Sequence, residues 1–276
     1  MKILVTGHKG YIGSHLFSSL LSLGYHVKGI DLKDGDDLLY CLPNENFDYV
    51  FHLAAYPKVQ YTVENPSFSL RQNVLTTSVL LEWSKTHAVR RLIFSSSAAV
   101  NNGDPKSPYG LHKFMSEMEC KLYSELYNLD TVCLRYYNVY SKNQLYGGSY
   151  SSVISSWMEM LKEGKTLRID GDGSQTRDFI HVEDIVSVNL FCMNYENSFK
   201  GKSLEVGSGC SITLNEIKDC IEEYHDVEWK PSPNRKGGIK HSKANIAELR
   251  KLGWQPKVDI KAGLKSCFHR NLRRFI

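Results

Sequence analysis

Tyr109 and Lys113 are four positions apart in a segment with helical periodicity, so both side chains lie on one face of a predicted helix. A free tyrosine has a pKa of about 10, and a neighbouring ammonium group favours its phenolate. Such a pair can take a proton from a substrate hydroxyl. Tyrosine–lysine pairs at this spacing are also common on solvated helices, so the pattern alone leaves both interpretations open.

A strand pattern over Arg91–Ser95 continues into Ser96 and Ser97, and Ser97 precedes Tyr109 by twelve residues. A serine hydroxyl at the end of a parallel strand can hold the reacting oxygen of a substrate. We expect Ser95 and Ser96 to be structural and Ser97 to act in catalysis with the tyrosine–lysine pair.

The segment Gly7-His8-Lys9-Gly10-Tyr11-Ile12-Gly13 lies between the first predicted strand and the first predicted helix. Glycines permit a tight turn, a close approach to a pyrophosphate and close packing of helix on strand. The first N–H groups of the helix, with its dipole, attract the phosphates. The spacing differs by one residue from the G-x-G-x-x-G form, but its position predicts a dinucleotide site.

Asp31 follows the second predicted strand, eighteen residues after Gly13. A carboxylate there can accept both hydroxyls of the adenosine ribose and repels a 2′-phosphate, so NAD is favoured over NADP. An aspartate that merely ends a strand is the alternative.

Strand and helix patterns alternate along the first half of the chain, which predicts an α/β Rossmann fold with a doubly wound parallel sheet. We expect a cofactor-binding core over residues 1–150, re-entered at 178–208, and a smaller α/β substrate lobe over 151–276. Helices are predicted at 14–23, 70–86, 109–127, 152–163, 182–194 and 213–225, and a loop at 231–238.

The chain of 276 residues is 42% hydrophobic and 23% charged, with a formal charge of +4 spread along its length. These values predict a folded globular protein and give no sign of nucleic-acid binding. Its seven cysteines have no metal-ligand spacing, so we expect reduced thiols, a cytoplasmic location and no metal. A strand pattern from Met1 and the lack of long apolar runs predict neither a signal peptide nor a membrane span.

These motifs resemble the extended short-chain dehydrogenase/reductase family, and in particular its sugar-nucleotide epimerases. The resemblance covers nearly the whole chain. Its segments are G-H-K-G-Y-I-G at 7–13, F-H-L-A-A at 51–55, N-V at 73–74, F-S-S-S-A-A-V at 94–100, S-P-Y-G-L-H-K at 107–113, L-R-Y-Y-N-V-Y at 134–140, G-D-G-S-Q-T-R-D-F-I-H-V at 171–182 and H-S-K-A-N at 241–245.

The resemblance implies NAD as cofactor and oxidation of a UDP-sugar at its 4-carbon, followed by return of the hydride to the opposite face. It implies catalysis by Ser97, Tyr109 and Lys113, and a homodimer that pairs helices 70–86 and 109–127. The implied cofactor-binding residues are Gly7, Gly10, Tyr11, Ile12, Gly13, Asp31, Ala54, Asn73, Tyr109 and Lys113. The implied substrate-binding residues are Ser97, Asn138, Arg177, Arg235 and Ser242, of which the arginines suit phosphate.

Two positions bear on the substrate. Ala98 and Ala99 stand where related dehydratases and some decarboxylases have a carboxylate, which disfavours elimination. Ser242 resembles the position where a small residue admits an N-acetyl group, which favours interconversion of UDP-N-acetylglucosamine and UDP-N-acetylgalactosamine; interconversion of UDP-glucose and UDP-galactose stays open, and alternatively Ser242 caps the next helix. Decarboxylation, dehydration, 4-keto reduction and a non-catalytic NAD sensor stay open as alternatives.

The sequence also departs from the family. The segments between Asp31 and Phe51 and between Ser97 and Tyr109 are short. Asn101-Asn102 replaces the usual Tyr-Gly, and Gly238 replaces an aspartate near the nucleotide ribose. Enclosure of the cofactor and choice of nucleotide are therefore not settled by the motifs.

Overall fold

The computed structural model describes residues 1–142, 144, 152–233 and 240–269. The chain forms two compact units: residues 1–136 with 185–205 make the first, and residues 137–184 with those from 206 onward make the second. Within the described residues, no helix combines the length and apolar character needed to cross a membrane.

The first unit contains a six-stranded sheet in the order β2-β1-β3-β4-β5-β9. Its strands are β1 (Lys2–Thr6), β2 (His26–Ile30), β3 (Tyr49–His52), β4 (Arg91–Ser97), β5 (Asp130–Tyr136) and β9 (Lys202–Val206). Four pairings are parallel: β1 with β2, β1 with β3, β3 with β4, and β4 with β5. Because β2 and β3 lie on opposite sides of β1, the strand order reverses at β1, which is where such sheets bind ligands. The predicted Rossmann α/β class is confirmed.

Helices connect these strands: α1 (Tyr11–Ser22), α2 (Val59–Glu64), α3 (Pro66–Leu70), α4 (Thr76–Thr86), α5 (Pro108–Tyr127) and α7 (Val182–Asn194), which spans the point where the chain re-enters the first unit. The helix predicted over 70–86 is interrupted by a π-helical turn at Arg71–Leu75. Such turns are frequent at functional sites.

The central strands β1, β3, β4 and β5 carry runs of buried residues, as is typical of a parallel sheet whose two faces are covered by helices. Their side chains form a core with helix residues; it includes Leu4, Val50, Leu80, Leu81, Leu92, Phe94, Cys120 and Cys133, all fully buried. The core fixes the carboxyl ends of β1, β3 and β4, where the motifs lie.

β2 is the outermost strand of the sheet. Residues 31–48, all of them described, contain one short 3₁₀ turn at Leu32–Asp34 and no strand. The short segment noted in the sequence therefore adds no strand beyond β2.

The second unit holds a three-stranded sheet, β10-β8-β6, and a two-stranded one, β11-β7. Its strands are β6 (Asn138–Tyr140), β7 (Leu167–Asp170), β8 (Thr176–His181), β10 (Ser211–Thr213) and β11 (Trp229–Ser232); its helices are α6 (Val153–Lys162), α8 (Leu214–Glu222), α9 (Ala247–Leu252) and α10 (Ile260–Phe268). The loop predicted at 231–238 is wrong for Pro231 and Ser232, which belong to β11 and pair in parallel with β7.

Candidate active site

The glycine-rich turn after β1 is built by backbone contacts that exclude side chains. Gly7 has a φ of +74°, and a Cβ there would lie 2.6 Å from the Ala54 nitrogen. A Cβ on Gly13 would overlap the Gly7 carbonyl oxygen. Gly10 occupies the N-cap of α1 and has no side chain to cap it, and the start of a helix attracts anions through its first N–H groups and its dipole.

Asp31 is fixed beside this turn. Its carboxylate accepts hydrogen bonds from the Lys9 and Lys33 backbone nitrogens, each at 2.9 Å. A carboxylate has further lone pairs, so it can still accept hydroxyl donors. The Lys9 ammonium pairs with Asp34, which keeps that cation off Asp31.

Asn73 lies in the π-helical turn and is buried. Its Oδ1 accepts from the Tyr56 nitrogen at 2.8 Å, and its Nδ2 donates to the Tyr56 carbonyl at 3.2 Å and to Ser69 Oγ at 3.1 Å. The Ala54 nitrogen donates to Thr6 Oγ1 at 3.3 Å. The loop after β3, which contains Ala54 and Tyr56, is thus held by Thr6 on one side and by Asn73 on the other.

Tyr109 lies in the first turn of α5, where Ser107 Oγ accepts from the Gly110 nitrogen at 3.1 Å and caps the helix. Tyr109 is only 6% exposed. Ser97 is the last residue of β4, and its Oγ accepts from the Ala99 nitrogen at 3.1 Å. Since that bond uses a lone pair, the Ser97 hydroxyl proton can still be donated to a ligand.

Gly110 brings the Ser97 turn against the start of α5. A Cβ at this glycine would overlap the Ala99 carbonyl oxygen. The contact places the turn that begins at Ser97 directly on the helix that carries Tyr109 and Lys113. Sequence analysis did not single out Gly110, although its position beside Tyr109 was a signal.

Lys113 is 2% exposed, and its Nζ donates to the Ser95 carbonyl at 2.7 Å and lies 4.5 Å from the centre of the Phe94 ring. Burial lowers the pKa of the Lys113 ammonium to about 8, although nearby Cys120 and Glu117 oppose that shift. The group is therefore cationic at neutral pH and titrates near the working range of an enzyme.

Glu117, one turn after Lys113, is a functional candidate that sequence analysis missed. Its buried carboxylate accepts from Ser96 Oγ at 2.5 Å and from Arg135 Nη2 at 2.7 Å. Ser95 Oγ donates to the Tyr136 hydroxyl at 3.2 Å. Ser95 and Ser96 are therefore structural, as predicted, and Glu117 fixes the end of β4 to α5. The 109, 113, 117 spacing on one helix face could have revealed it.

The second unit carries the predicted substrate residues. Asn138 Nδ2 donates to the Asp178 carbonyl at 2.7 Å, and Arg177 is half-buried on β8. Ser242 lies in the segment before α9, whose N-cap is Ile246, so the helix-capping interpretation of Ser242 is wrong. Arg235 and Gly238 lie outside the described residues.

The family model described as NAD dependent epimerase/dehydratase matches residues 3–207. The chain belongs to this family. The predicted membership in the extended short-chain dehydrogenase/reductase family, with its sugar-nucleotide epimerases, is confirmed.

Individual members of the epimerase/dehydratase family align with the chain almost end to end. UDP-glucose 4-epimerase of Mycolicibacterium smegmatis is 30% identical and covers 96% of each chain. UDP-N-acetylglucosamine 4-epimerase from Methanobrevibacter ruminantium M1, solved with UDP-N-acetylmuramic acid, is 30% identical with a TM-score of 0.87, covering 97% of this chain and 96% of that one. UDP-glucuronic acid 4-epimerase from Bacillus cereus, solved with UDP-glucuronic acid and NAD, is 27% identical with a TM-score of 0.85, covering 97% and 98%.

NAD is the cofactor of this epimerase/dehydratase enzyme, and the first unit fits it. The cradle formed by Gly7, Gly10 and Gly13 leaves no room for side chains where a pyrophosphate approaches a helix N-terminus. Asp31 lies at the end of β2, where a ribose acceptor is needed.

Proposed function

We propose that this protein is a 4-epimerase of a UDP-sugar and that Tyr109, Lys113 and Ser97 perform its proton transfers. The observation that carries the proposal is the burial of Tyr109 and Lys113 on one face of α5, directly beside the turn that starts at Ser97. A solvated tyrosine–lysine pair, the alternative for this motif, would leave both side chains exposed.

The three residues have distinct tasks. The Tyr109 phenolate takes the proton of the sugar 4-hydroxyl, the Lys113 ammonium stabilises that phenolate, and the Ser97 hydroxyl donates a hydrogen bond to the sugar oxygen. Bound NAD would supply the hydride acceptor for the 4-carbon and, once the 4-keto sugar has turned over, the hydride donor for its opposite face. Tyr109 then gives the proton back, so the enzyme ends each cycle in its starting state.

We propose UDP-N-acetylglucosamine as the preferred sugar. Ser242 is small, and the resemblance places it where an N-acetyl group is admitted. Asn138, Arg177 and Arg235 are the proposed diphosphate ligands: the two arginines offer forked, permanently charged donors that suit phosphate, and Asn138 offers a neutral amide donor. The aligned relatives are named for three different sugars, so family membership leaves the sugar open and Ser242 carries this choice.

The proposed homodimer is supported by a stripe of exposed apolar side chains on α5. It consists of Leu111, Met115, Met118, Leu122 and Leu126, all more than a third exposed. Their spacing of three or four residues forms one continuous face opposite the buried one. A soluble monomer rarely leaves such a patch uncovered, so we propose that a second copy of the chain covers it.

All seven cysteines are free. Free thiols persist in reducing compartments, which supports the proposal that the protein works in the cytoplasm.

The decisive experiment incubates the purified protein with UDP-N-acetylglucosamine or UDP-glucose and follows the products by NMR. Epimerisation converts the 4-configuration with no change in mass or in the redox state of NAD. Loss of carbon dioxide, loss of water or net reduction would instead establish one of the related chemistries. No turnover on any UDP-sugar, with NAD bound, would favour the NAD sensor.

A further inference from the structure

Asp178 of β8 is a fully buried carboxylate with four donors aimed at it. Oδ1 accepts from the Ser208 nitrogen at 2.7 Å and from Ser208 Oγ at 2.8 Å. Oδ2 accepts from the nitrogens of Gly209 and Ala244, each at 3.0 Å. Burial raises the pKa of the Asp178 carboxyl above its usual value, although the four hydrogen bonds oppose that shift.

The Asp178 carboxylate anchors the segment that contains Ser242. The Thr176 nitrogen donates to the Lys240 carbonyl at 3.0 Å, and Ser211 Oγ donates to the Ser242 carbonyl at 3.1 Å. The Asp178 carboxylate adds a third contact two residues beyond Ser242, because it accepts a hydrogen bond from the Ala244 nitrogen. The backbone on both sides of Ser242 is therefore tied to β8 and β10.

The backbone of Asp178 also lies beside two further residues of this unit that are proposed to bind substrate, Asn138 and Arg177. Its carbonyl accepts the Asn138 amide at 2.7 Å, and Arg177 is its neighbour on β8. The packing around the Asp178 carboxylate is tight, because a Cβ on Gly207 would lie 2.8 Å from Asp178 Oδ2 and 2.5 Å from the Ala244 Cβ. Asp178 thus holds the Asn138 amide through its backbone carbonyl and the segment around Ser242 through its carboxylate.

We propose that Asp178 is a positioning residue for the nucleotide sugar: it sets where Asn138 and Ser242 lie and thereby sets affinity and sugar preference, without touching the reacting atoms. This inference rests on the proposed function of Asn138, Arg177 and Ser242. It assigns Asp178 an effect on substrate binding and none on NAD binding.

The test is Asp178→Asn, which keeps the shape but replaces one acceptor oxygen with a donor that opposes an N–H group. Loss of a buried hydrogen bond of this kind weakens binding by about tenfold or more. We expect KM for UDP-N-acetylglucosamine and the Kd for UDP to rise by that factor. The kcat and the Kd for NAD should stay within about twofold, and the kcat/KM ratio between UDP-N-acetylglucosamine and UDP-glucose should move toward one.

The matched control is Asp172→Asn. Asp172 is an exposed carboxylate of the same unit that also accepts from a backbone nitrogen and a hydroxyl, both of Ser174. Asp172→Asn should leave the KM for UDP-N-acetylglucosamine, the Kd for UDP and the kcat/KM ratio between the two sugars unchanged. Equal losses of NAD and UDP binding in Asp178→Asn, or a lower kcat with an unchanged sugar ratio, would show that Asp178 is merely structural.

Hydrogen exchange on the wild-type protein keeps the inference testable even when Asp178→Asn does not fold. The amides of Ser208, Gly209 and Ala244 should exchange slowly, and UDP should slow them further. Unchanged exchange at all three amides on addition of saturating UDP overturns the inference. Absent turnover with UDP-dependent protection intact would refute the proposed epimerisation and leave the positioning role standing.

Discussion

Gly110 packs its α-carbon against the Ala99 carbonyl oxygen, with no space for even one methyl group between them. This contact joins the Ser97 turn to the first turn of α5. The short loop between Ser97 and Tyr109 passes through left-handed residues at Asn101 and Asn102, with φ of 48° and 53°, which tighten the turn.

Gly110→Ala should therefore move the Ser97 turn away from α5. A displacement of about 1 Å costs roughly 100-fold in rate, so we expect kcat to fall by about that factor while NAD binding persists. Gly24→Ala is the control: Gly24 has a φ of 80°, which an alanine adopts only with strain, but it faces open space, so the added methyl group displaces nothing. It should lower stability without lowering kcat, and an equal loss of kcat in both variants would contradict the proposed geometry.

Tyr109→Phe should abolish turnover, because it removes the proposed base. General acid–base groups contribute about 10²–10⁴-fold, so kcat should fall by at least 100-fold with the Kd for NAD unchanged. Tyr123→Phe on the same helix loses only a surface hydrogen bond to Glu82 and should retain full activity. Steady-state kinetics and NAD titration check this, and a Tyr109→Phe variant with normal kcat would refute the catalytic role.

Turnover should decline as the pH rises past about 8, since burial lowers the pKa of Lys113 to about 8 and the neutral amine no longer stabilises the phenolate. Glu117 raises that pKa, so Glu117→Gln should move the decline to lower pH. Glu119→Gln, two residues along α5, should not move it. Profiles of kcat against pH, recorded where each variant is folded, decide the matter; a decline that is identical in all three proteins would exclude Lys113 as its source.

Asp31→Asn should weaken NAD binding by about tenfold, the cost of losing a charge-assisted hydrogen bond of about 1.5 kcal/mol. It should also improve NADP binding, because the charge that repels a 2′-phosphate is gone. Asp34→Asn changes the neighbouring carboxylate, which pairs with Lys9, and should not reverse the preference. Fluorescence titrations with NADH and NADPH measure both effects, and an unchanged preference in Asp31→Asn would remove the ribose role.

Leu122→Glu should convert the proposed dimer to monomers, since it places a charge in the middle of the apolar stripe on α5. Leu21→Glu makes the same change at an exposed leucine of α1, outside the stripe, and should leave the oligomeric state unchanged. Analytical ultracentrifugation distinguishes the species. A wild-type protein that sediments as a monomer at micromolar concentration would rule out the interface.

Sequence patterns predicted β1 to β5, α5 and α7 well, because periodicity and glycine turns are local signals. The strands that the structure describes in the second unit, three to six residues long, were not predicted, since their pairing depends on distant segments such as β10 with β8. The π-helical turn that holds Asn73 also lies within an ordinary helical pattern, and only contacts with Tyr56 and Ser69 reveal it.

The motif residues of the candidate site were predictable, but their supports were not. Glu117 acts through Arg135 and Ser96, and Asp178 through Ser208 and Ala244, which are up to 66 residues away. The residues adjacent to Glu117 and Asp178 in the sequence do not indicate which side chains these carboxylates contact. Ser242 could not be separated from a helix cap until α9 was seen to begin at Ala247.

Because residues 31–48 contain no strand, one edge of β2 has no neighbouring strand, and such an edge can pair with a strand of another molecule. His26 and Lys28 place polar and charged side chains on this edge strand, and the Lys28 ammonium forms an ion pair with Glu45 at 2.8 Å. Charged residues at a sheet margin discourage intermolecular strand addition. The polar and charged side chains of β2 therefore disfavour strand pairing between molecules at this edge of the sheet.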